Sequence, residues 1–303
     1  MIIKNREPSK ELKKLRALKP RIRFTREAES YHEYLEKGFD GELTFDKRSK
    51  PLTEKMLFLN DLSLKQNNSE CQIDSIALAA NKLHMFEIKN FEGDYSVKGD
   101  KWYSPSNKLV KNPLQQLERS DTLLNQLLNE KGFPHTVESH LIFIHPEFHL
   151  FNIPSRLPII YFSQFNRFIK KKNELPLKIT QTDTRLAETL LSLHVDEDPQ
   201  DNHNLPLYDY DSLKKGIFCP RCLNVYGPPE YTSFYCTACK IKEGTKEAVL
   251  RSVEEFRLLF PERKITTHQI FEWCGVFKDQ RRIRKILKEN FKREGENSGT
   301  YFR

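Results

Sequence analysis

Between Cys71 and Lys89 the chain has little choice but to fold back on itself. Residues 71–79 are apolar and β-prone, Ala80-Asn81-Lys82 carries turn chemistry, and Leu83 to Lys89 is apolar again, which predicts two strands in a hairpin. Successive side chains on a strand face opposite sides, so Glu87 and Lys89 share one side while Phe86 and Ile88 share the other. A suitable register brings Asp74 beside the charged pair. Two carboxylates that close raise each other's pKa unless a cation lies between them. A hard divalent ion, Mg²⁺ or Mn²⁺, takes such oxygen ligands. Lys89 then supplies a point charge for a developing oxyanion or for a water beside the metal.

Length and charge narrow the function classes further. A chain of 303 residues exceeds what one core usually organises, so two or three domains are expected. No apolar run is long enough to span a bilayer, and the start, Met1-Ile2-Ile3-Lys4-Asn5-Arg6, lacks the apolar stretch of a signal peptide. The expectation is a cytoplasmic protein without a membrane partner. In that compartment the six cysteines point to metal or free thiols and away from disulfides. No nucleotide or cofactor motif supports a small-molecule enzyme. The net charge of +8 is segregated: residues 1–23 carry nine basic and two acidic side chains, residues 262–303 carry eleven and six, and 194–211 carry six acidic residues and no Lys or Arg. Basic charge gathered at both ends is the footprint of a polyanion partner, the alternative being a lysine-solubilised arm.

Read in order, residues 1–24 form a basic N-terminal arm with a weak apolar stripe at Leu12, Leu15 and Leu18, and 25–172 form an α/β domain. Thr25 caps a helix that Ala28, Tyr31 and Leu35 carry to Gly38, with Gly41-Glu42 close behind. Strands are expected at 58–64, 71–79, 83–89, 139–144 and 158–162, with a turn at Asn67-Asn68-Ser69. A hairpin over 95–103 turns aromatic side chains toward the mouth of the charged site, for base stacking or for packing. Pro113 opens a helix lined by Leu114, Leu117, Leu124, Leu127 and Leu128. In its first turn Gln115 is placed to orient substrate or water, with Gln116 pointing elsewhere. His145 and His149 read as loop or packing residues. Ser163 starts a helix to about 172, and 173–214 read as an acidic linker with one helix at 184–193.

Cys219-Pro220-Arg221-Cys222 and Cys236-Thr237-Ala238-Cys239 are two Cys-x-x-Cys pairs with thirteen residues between them. Two tight turns at the ends of a short hairpin would bring four thiolates around one structural Zn²⁺, with Phe218, Tyr226, Tyr231, Phe234 and Tyr235 as its small core. That is a zinc ribbon over 215–245. A redox dithiol is the alternative, but it lacks a βαβ setting. In 246–303 a helix at 267–274 stops at Gly275, and a second, capped by Asp279, puts Ile283, Ile286 and Leu287 on one face and Arg281, Arg282, Arg284, Lys285 and Lys288 elsewhere. With 295–302 as a strand, this module is similar to a helix-turn-helix with a small wing. Arg281, Arg282 and Lys285 are its candidate nucleic-acid contacts.

Asp74, twelve residues, then Glu87-Ile88-Lys89 resembles the core of the PD-(D/E)xK nucleases, and in particular their nuclease-related (NERD) branch. That branch adds a Gly-Glu pair upstream, a Gln-Ile-Asp strand and an Asn-Pro-x-x-Gln helix start; Gly41-Glu42, Gln72-Ile73-Asp74, Asn90 after Lys89, and Asn112-Pro113-Leu114-Gln115-Gln116 occupy those places. The resemblance spans roughly residues 35–150. It implies a restriction-endonuclease-like mixed sheet flanked by helices, with Glu42 joining Asp74 and Glu87 around Mg²⁺ or Mn²⁺, Lys89 stabilising charge and Gln115 positioning. The expected activity is metal-dependent hydrolysis of nucleic-acid phosphodiester bonds, with DNA preferred to RNA as partner. The rival reading is a non-catalytic nucleic-acid-binding protein that keeps the nuclease fold. Neither reading fixes an oligomeric state.

Overall fold

A computed structural model describes every residue except 67–68, 155, 196–203 and 297–298, and at 66 and 69 it describes the backbone alone. The expected turn at Asn67-Asn68 and the centre of the acidic tract therefore lie outside the described residues. In chain order the elements are β1 (Ile2–Lys4), α1 (Lys10–Leu18), α2 (Arg26–Ser49), β2 (Leu57–Gln66), β3 (Ser69–Ala79), β4 (Lys82–Lys89), β5 (Gly93–Lys98), β6 (Lys101–Tyr103), β7 (Leu109–Val110), α3 (Pro113–Lys131), β8 (Thr136–Phe143), β9 (Phe148–Phe151), β10 (Ile159–Tyr161), α4 (Phe162–Glu174) and α5 (Gln181–Ser192). Then follow β11 (Ser233–Tyr235), β12 (Lys242–Gly244), α6 (Thr245–Leu259), α7 (Thr267–Cys274), α8 (Arg281–Asn290), β13 (Arg293–Glu294) and β14 (Tyr301–Phe302). The chain divides into two units, Met1–Pro8 with Tyr34–Asp198, and Ser9–Glu33 with Pro199–Arg303. Among the described residues no helix is long and apolar enough to cross a membrane.

In the first unit the order β1-β2-β3-β4-β8-β10 makes one mixed sheet. β2, β3 and β4 run antiparallel to their neighbours in that trio, while β8 is parallel to β4 and β10 parallel to β8. Ala80 and Asn81 close the β3–β4 hairpin with φ of 53° and 58°, the left-handed pair a two-residue turn requires. Leu117, Leu124 and Leu128 of α3 and Leu186 and Leu190 of α5 cover one face of the sheet with Leu59, Ile76, Met85 and Leu141. Phe45 of α2 and Phe165 and Ile169 of α4 cover the other with Phe58, Phe86, Ile88 and Ile142. A smaller sheet, β7-β6-β5-β9, adds Trp102 and Phe148 to the first face, where Phe148 stacks on Phe143 at 3.9 Å. Trp102 is 1 % exposed and Tyr95 stacks on Phe91 at 4.9 Å. Trp102 is therefore core, while Tyr95 and Tyr103 are partly buried.

Three expectations change here. The helix that begins after Thr25 does not end at Gly38 but runs on to Ser49, because Gly41, Phe45 and Ser49 form a buried stripe along it. Residues 1–24 are not a free arm: β1 pairs with β2, and Leu12, Leu15 and Leu18 of α1 are buried. Residues 173–195 are not a spacer, since α5 packs into the core of the first unit and Asp183 caps it at Thr180 through a reciprocal pair of hydrogen bonds.

In the second unit the cysteine module and the C-terminal helices, expected as separate domains, share one core. Tyr226 and Phe234 belong to the same cluster as Val253, Phe256, Trp273, Ile283 and Leu287. Arg21 enters it fully buried, 3.7 Å over the Trp273 ring and 2.6 Å from Glu255, which accounts for one cation of the supposed arm. Phe302 N donates to Ile265 O at 2.8 Å, tying the β13–β14 hairpin to the helices.

Candidate carboxylate centre and cysteine cluster

The β3–β4 ladder is regular from Ala79↔Lys82 to Ser75↔Phe86 and stops there. One residue further on, the strands fork. Asp74 Oδ2 accepts a hydrogen bond from Ile88 N at 2.7 Å, so a carboxylate takes the place of a ladder carbonyl. Asp74 O accepts instead from the Arg6 guanidinium at 2.9 Å. Opposite, Asp61 has φ 53°, and the core-facing positions of β2 change parity there, from Leu57 and Leu59 to Leu62 and Leu64. Glu87 and Lys89 point into this fork, with Lys89 Nζ 2.6 Å from Glu87 Oε1. Glu87 is only 2 % exposed, so this ion pair lies almost wholly out of water.

Helix α2 reaches the fork through Gly41. A Cβ at that position would lie 2.5 Å from Asn90 Cβ, inside any real contact, so only glycine lets the helix come this close to the end of β4. Asn90 Nδ2 donates to Lys37 O at 2.7 Å and fixes the contact. The next residue, Glu42, is thereby set beside the site. Its carboxylate is held by Arg6 at 3.1 Å, and Arg6 also binds Asp46 at 2.9 Å and Asp61 at 2.7 Å. Glu42, Asp74, Glu87 and Lys89 are thus brought to one fork, with Glu42 already ion-paired.

Gln115 is not part of it. It is exposed, while Gln116 Oε1 accepts from Lys89 Nζ at 3.2 Å, so the two glutamines exchange the places the sequence reading gave them. The buried stripe Pro113, Leu117, Ser120, Leu124 was the available signal: position 116 flanks it and 115 lies behind it. Arg6 and Asp61 were also missed, and neither carries a local motif. His145 precedes β9, where its Nδ1 accepts from Glu147 N at 3.2 Å, and His149 lies in β9; both pair only loosely with acids, Glu92 and Asp94.

The electrostatics follow from crowding. Burial, then the nearby Asp74 carboxylate, pushes Glu87 up to about 8, against the pull of Lys89. Glu42 is pushed up to about 8 by burial and Asp74, with Arg6 opposing. Burial would lower Lys89, but Glu87 and Asp74 outweigh it and leave its pKa raised. A fork in which burial and the Asp74 carboxylate push Glu42 and Glu87 up gathers the oxygen ligands a hard cation takes. The acid oxygens do not already converge as a closed cluster: among the described residues the groups drawn within 4.8 Å are the four cysteines and His84, Glu138 and His140.

In the second unit Cys219 Sγ lies 3.5 Å from Cys239 Sγ, and Cys222 Sγ lies 3.3 Å from Cys236 Sγ. These are far from the ~2.05 Å of a disulfide and near the edge of a tetrahedron with metal–sulfur bonds of about 2.3 Å. Each pair closes its own turn: Leu223 N bonds Cys219 O, Lys240 N bonds Cys236 O, and Leu223 and Lys240 have φ of 60° and 61°. The turns therefore sit in two hairpins and not at the ends of one. Phe218, Tyr226 and Phe234 are buried, but Tyr231 is 92 % and Tyr235 47 % exposed, so only three of the five aromatics form core.

On α8, Ile283, Ile286 and Leu287 are buried, and Arg281, Arg284, Lys285 and Lys288 line a shallow exposed hollow together with Glu289. Arg282 diverges from that row. Its guanidinium donates to Tyr231 O at 2.6 Å, tying α8 to the cysteine module.

Fold and site together define the class: a mixed α/β domain with a buried carboxylate–lysine centre at a strand fork, followed by a four-cysteine module. Residues 37–144 match the family model of the nuclease-related domain. No curated protein and no solved structure matches the chain.

Proposed function

We propose that the first unit is a metal-dependent nuclease that hydrolyses nucleic-acid phosphodiester bonds. The observation that carries this reading is the fork itself, where Asp74, Glu87 and Lys89 meet inside the segment that matches the nuclease-related domain. Asp74 and Glu87 would hold Mg²⁺ or Mn²⁺, with Glu42 reaching them from α2. When bound, the ion polarises the phosphoryl oxygen and lowers the pKa of its water. The Lys89 ammonium, steadied by Gln116, stands ready to stabilise charge on the reacting phosphate. The Ile88 N–H keeps the Asp74 carboxylate from rotating, and Arg6 keeps β1, α2 and β2 together behind it. The second unit would be an accessory nucleic-acid-binding module in a cytoplasmic protein, its four cysteines holding structural Zn²⁺. Arg281, Arg284, Lys285 and Lys288 would follow duplex phosphates, with DNA preferred to RNA, in the manner of a helix-turn-helix tail.

The second reading, a non-catalytic binding protein, is favoured by one feature. Arg6 already neutralises Glu42, a residue the active arrangement would share with the metal. Digestion of end-labelled DNA and RNA by the purified chain separates the two. The nuclease reading expects fragments with Mg²⁺ or Mn²⁺ and none with EDTA; intact substrate under both conditions, with binding retained, supports the second.

A further inference from the structure

The face of β4 opposite Glu87 carries a second group of metal-binding side chains. Across the parallel β4–β8 ladder His84 stands in register with Glu138, and Phe86 with His140. One ligand atom from each of His84, Glu138 and His140 lies within 4.8 Å of the others. His84 is 2 % exposed, and its Nδ1 is 3.2 Å from Glu138 Oε2 without forming a hydrogen bond to it. His140 Nε2 is likewise buried without a partner. Buried ring nitrogens normally find a donor or acceptor, and two left open beside one carboxylate need a reason.

We propose that His84, Glu138 and His140 form a second metal site for a divalent ion that prefers imidazole, zinc foremost. Nitrogen and oxygen ligands about 2.0–2.2 Å from zinc stand about 3.3 Å apart in a tetrahedron, and the Nδ1–Oε2 separation is 3.2 Å. Two imidazoles select zinc over magnesium, which takes oxygen. The rings are held in place by Phe86, stacked on His140 at 5.4 Å, and by Phe168, edge-on to it at 5.1 Å. Glu138 now bonds Lys82 Nζ at 2.5 Å and Lys172 Nζ at 2.9 Å. Oε2, the oxygen facing His84, is the one Lys172 holds, so the Lys172 ammonium withdraws from it when the ion arrives while Lys82 keeps Oε1; the Glu138 side chain, 28 % exposed, opens the path of entry. Three protein ligands leave a fourth position for water. The ion clips β4 to β8 behind the carboxylate centre and is independent of whether that centre cleaves.

The test counts zinc in the full chain, equilibrated in a zinc buffer containing excess Mg²⁺ and then gel-filtered. Wild type retains two zinc ions per chain, and Glu138→Gln and His140→Gln retain one, held by the cysteines. Titration with Co²⁺ in place of zinc gives intense thiolate-to-cobalt absorption for the first equivalent only. The second adds weak visible bands, which both variants lose. One zinc per wild-type chain that both variants retain overturns the proposal, and so does retention of two by both variants.

Discussion

At the residue scale the centre is organised by what each polar atom lacks. Glu42 and Glu87 are pushed up to about 8 from an ordinary 4.5, by burial first and then by Asp74, so the fold favours their protonated forms. For an acid raised in the folded state, stability is fully present below the unfolded value and is lost as pH rises through the folded one. Metal-stripped protein therefore melts at progressively lower temperature between about pH 4.5 and 8, and Mg²⁺ flattens the decline. Melting curves across that range check this; an equal decline with and without Mg²⁺ would show that no cation enters the fork. A second expectation concerns the helix start. Gln116→Ala removes a hydrogen bond to Lys89 worth about 1 kcal/mol or slightly more and lowers cleavage several-fold, while Gln115→Ala is neutral; single-turnover rates decide. Asp74, Glu87 and Lys89 were legible in the sequence because strand alternation puts them on known sides. The Asn-Pro-x-x-Gln pattern specifies residue type but not which way the first turn faces; the buried stripe Pro113–Leu117–Ser120 sets that and puts Gln116 beside Lys89. Arg6 was invisible, since nothing local distinguishes a buried arginine from its neighbours in a basic stretch.

At the element scale the contact of α2 with the end of β4 decides the geometry. Gly41→Ala forces a methyl group against Asn90 Cβ and Cγ, both within 3.0 Å of the added atom. Overpacking of this kind costs about 1–3 kcal/mol, and because the displaced element carries Glu42, cleavage should fall with the melting temperature. An unchanged melting temperature and rate would mean that α2 can shift freely. The hairpin and α3 were readable from periodicity and turn chemistry. The length of α2 was not, because glycines at 38 and 41 look like stops until the packed stripe through Phe45 is known. The cysteine turns were legible from spacing alone, while their sharing of a core with α6–α8 depends on contacts distant in sequence. That sharing changes an expectation. Cys222→Ser, which removes one thiolate, destabilises the C-terminal helices along with the turns, measured as loss of Trp273 burial by fluorescence, while the first unit keeps its own melting transition.

At the scale of the whole molecule the basic surface reduces to fewer residues than the charge count promised, because Arg6 and Arg21 are buried in ion pairs. The exposed row on α8 is Arg281, Arg284, Lys285 and Lys288, with Glu289 beside it. If that row follows a duplex, the affinity falls with salt at a log–log slope of about −0.9 per phosphate neutralised. Replacing Arg284 and Lys288 with glutamine lowers the slope by about 2, while Arg282→Gln acts through the Tyr231 contact on stability instead. An affinity independent of salt would leave the row without a part in binding. The central claim rests on the first unit, and the most direct measurement is the single-turnover cleavage rate in Mg²⁺ of wild type beside Asp74→Asn, Glu87→Gln and Lys89→Met, each shown folded by its melting transition. The account predicts metal-dependent cleavage by wild type and a loss of at least about 100-fold in every variant; equal rates in wild type and all three, or cleavage that persists in EDTA, would contradict it.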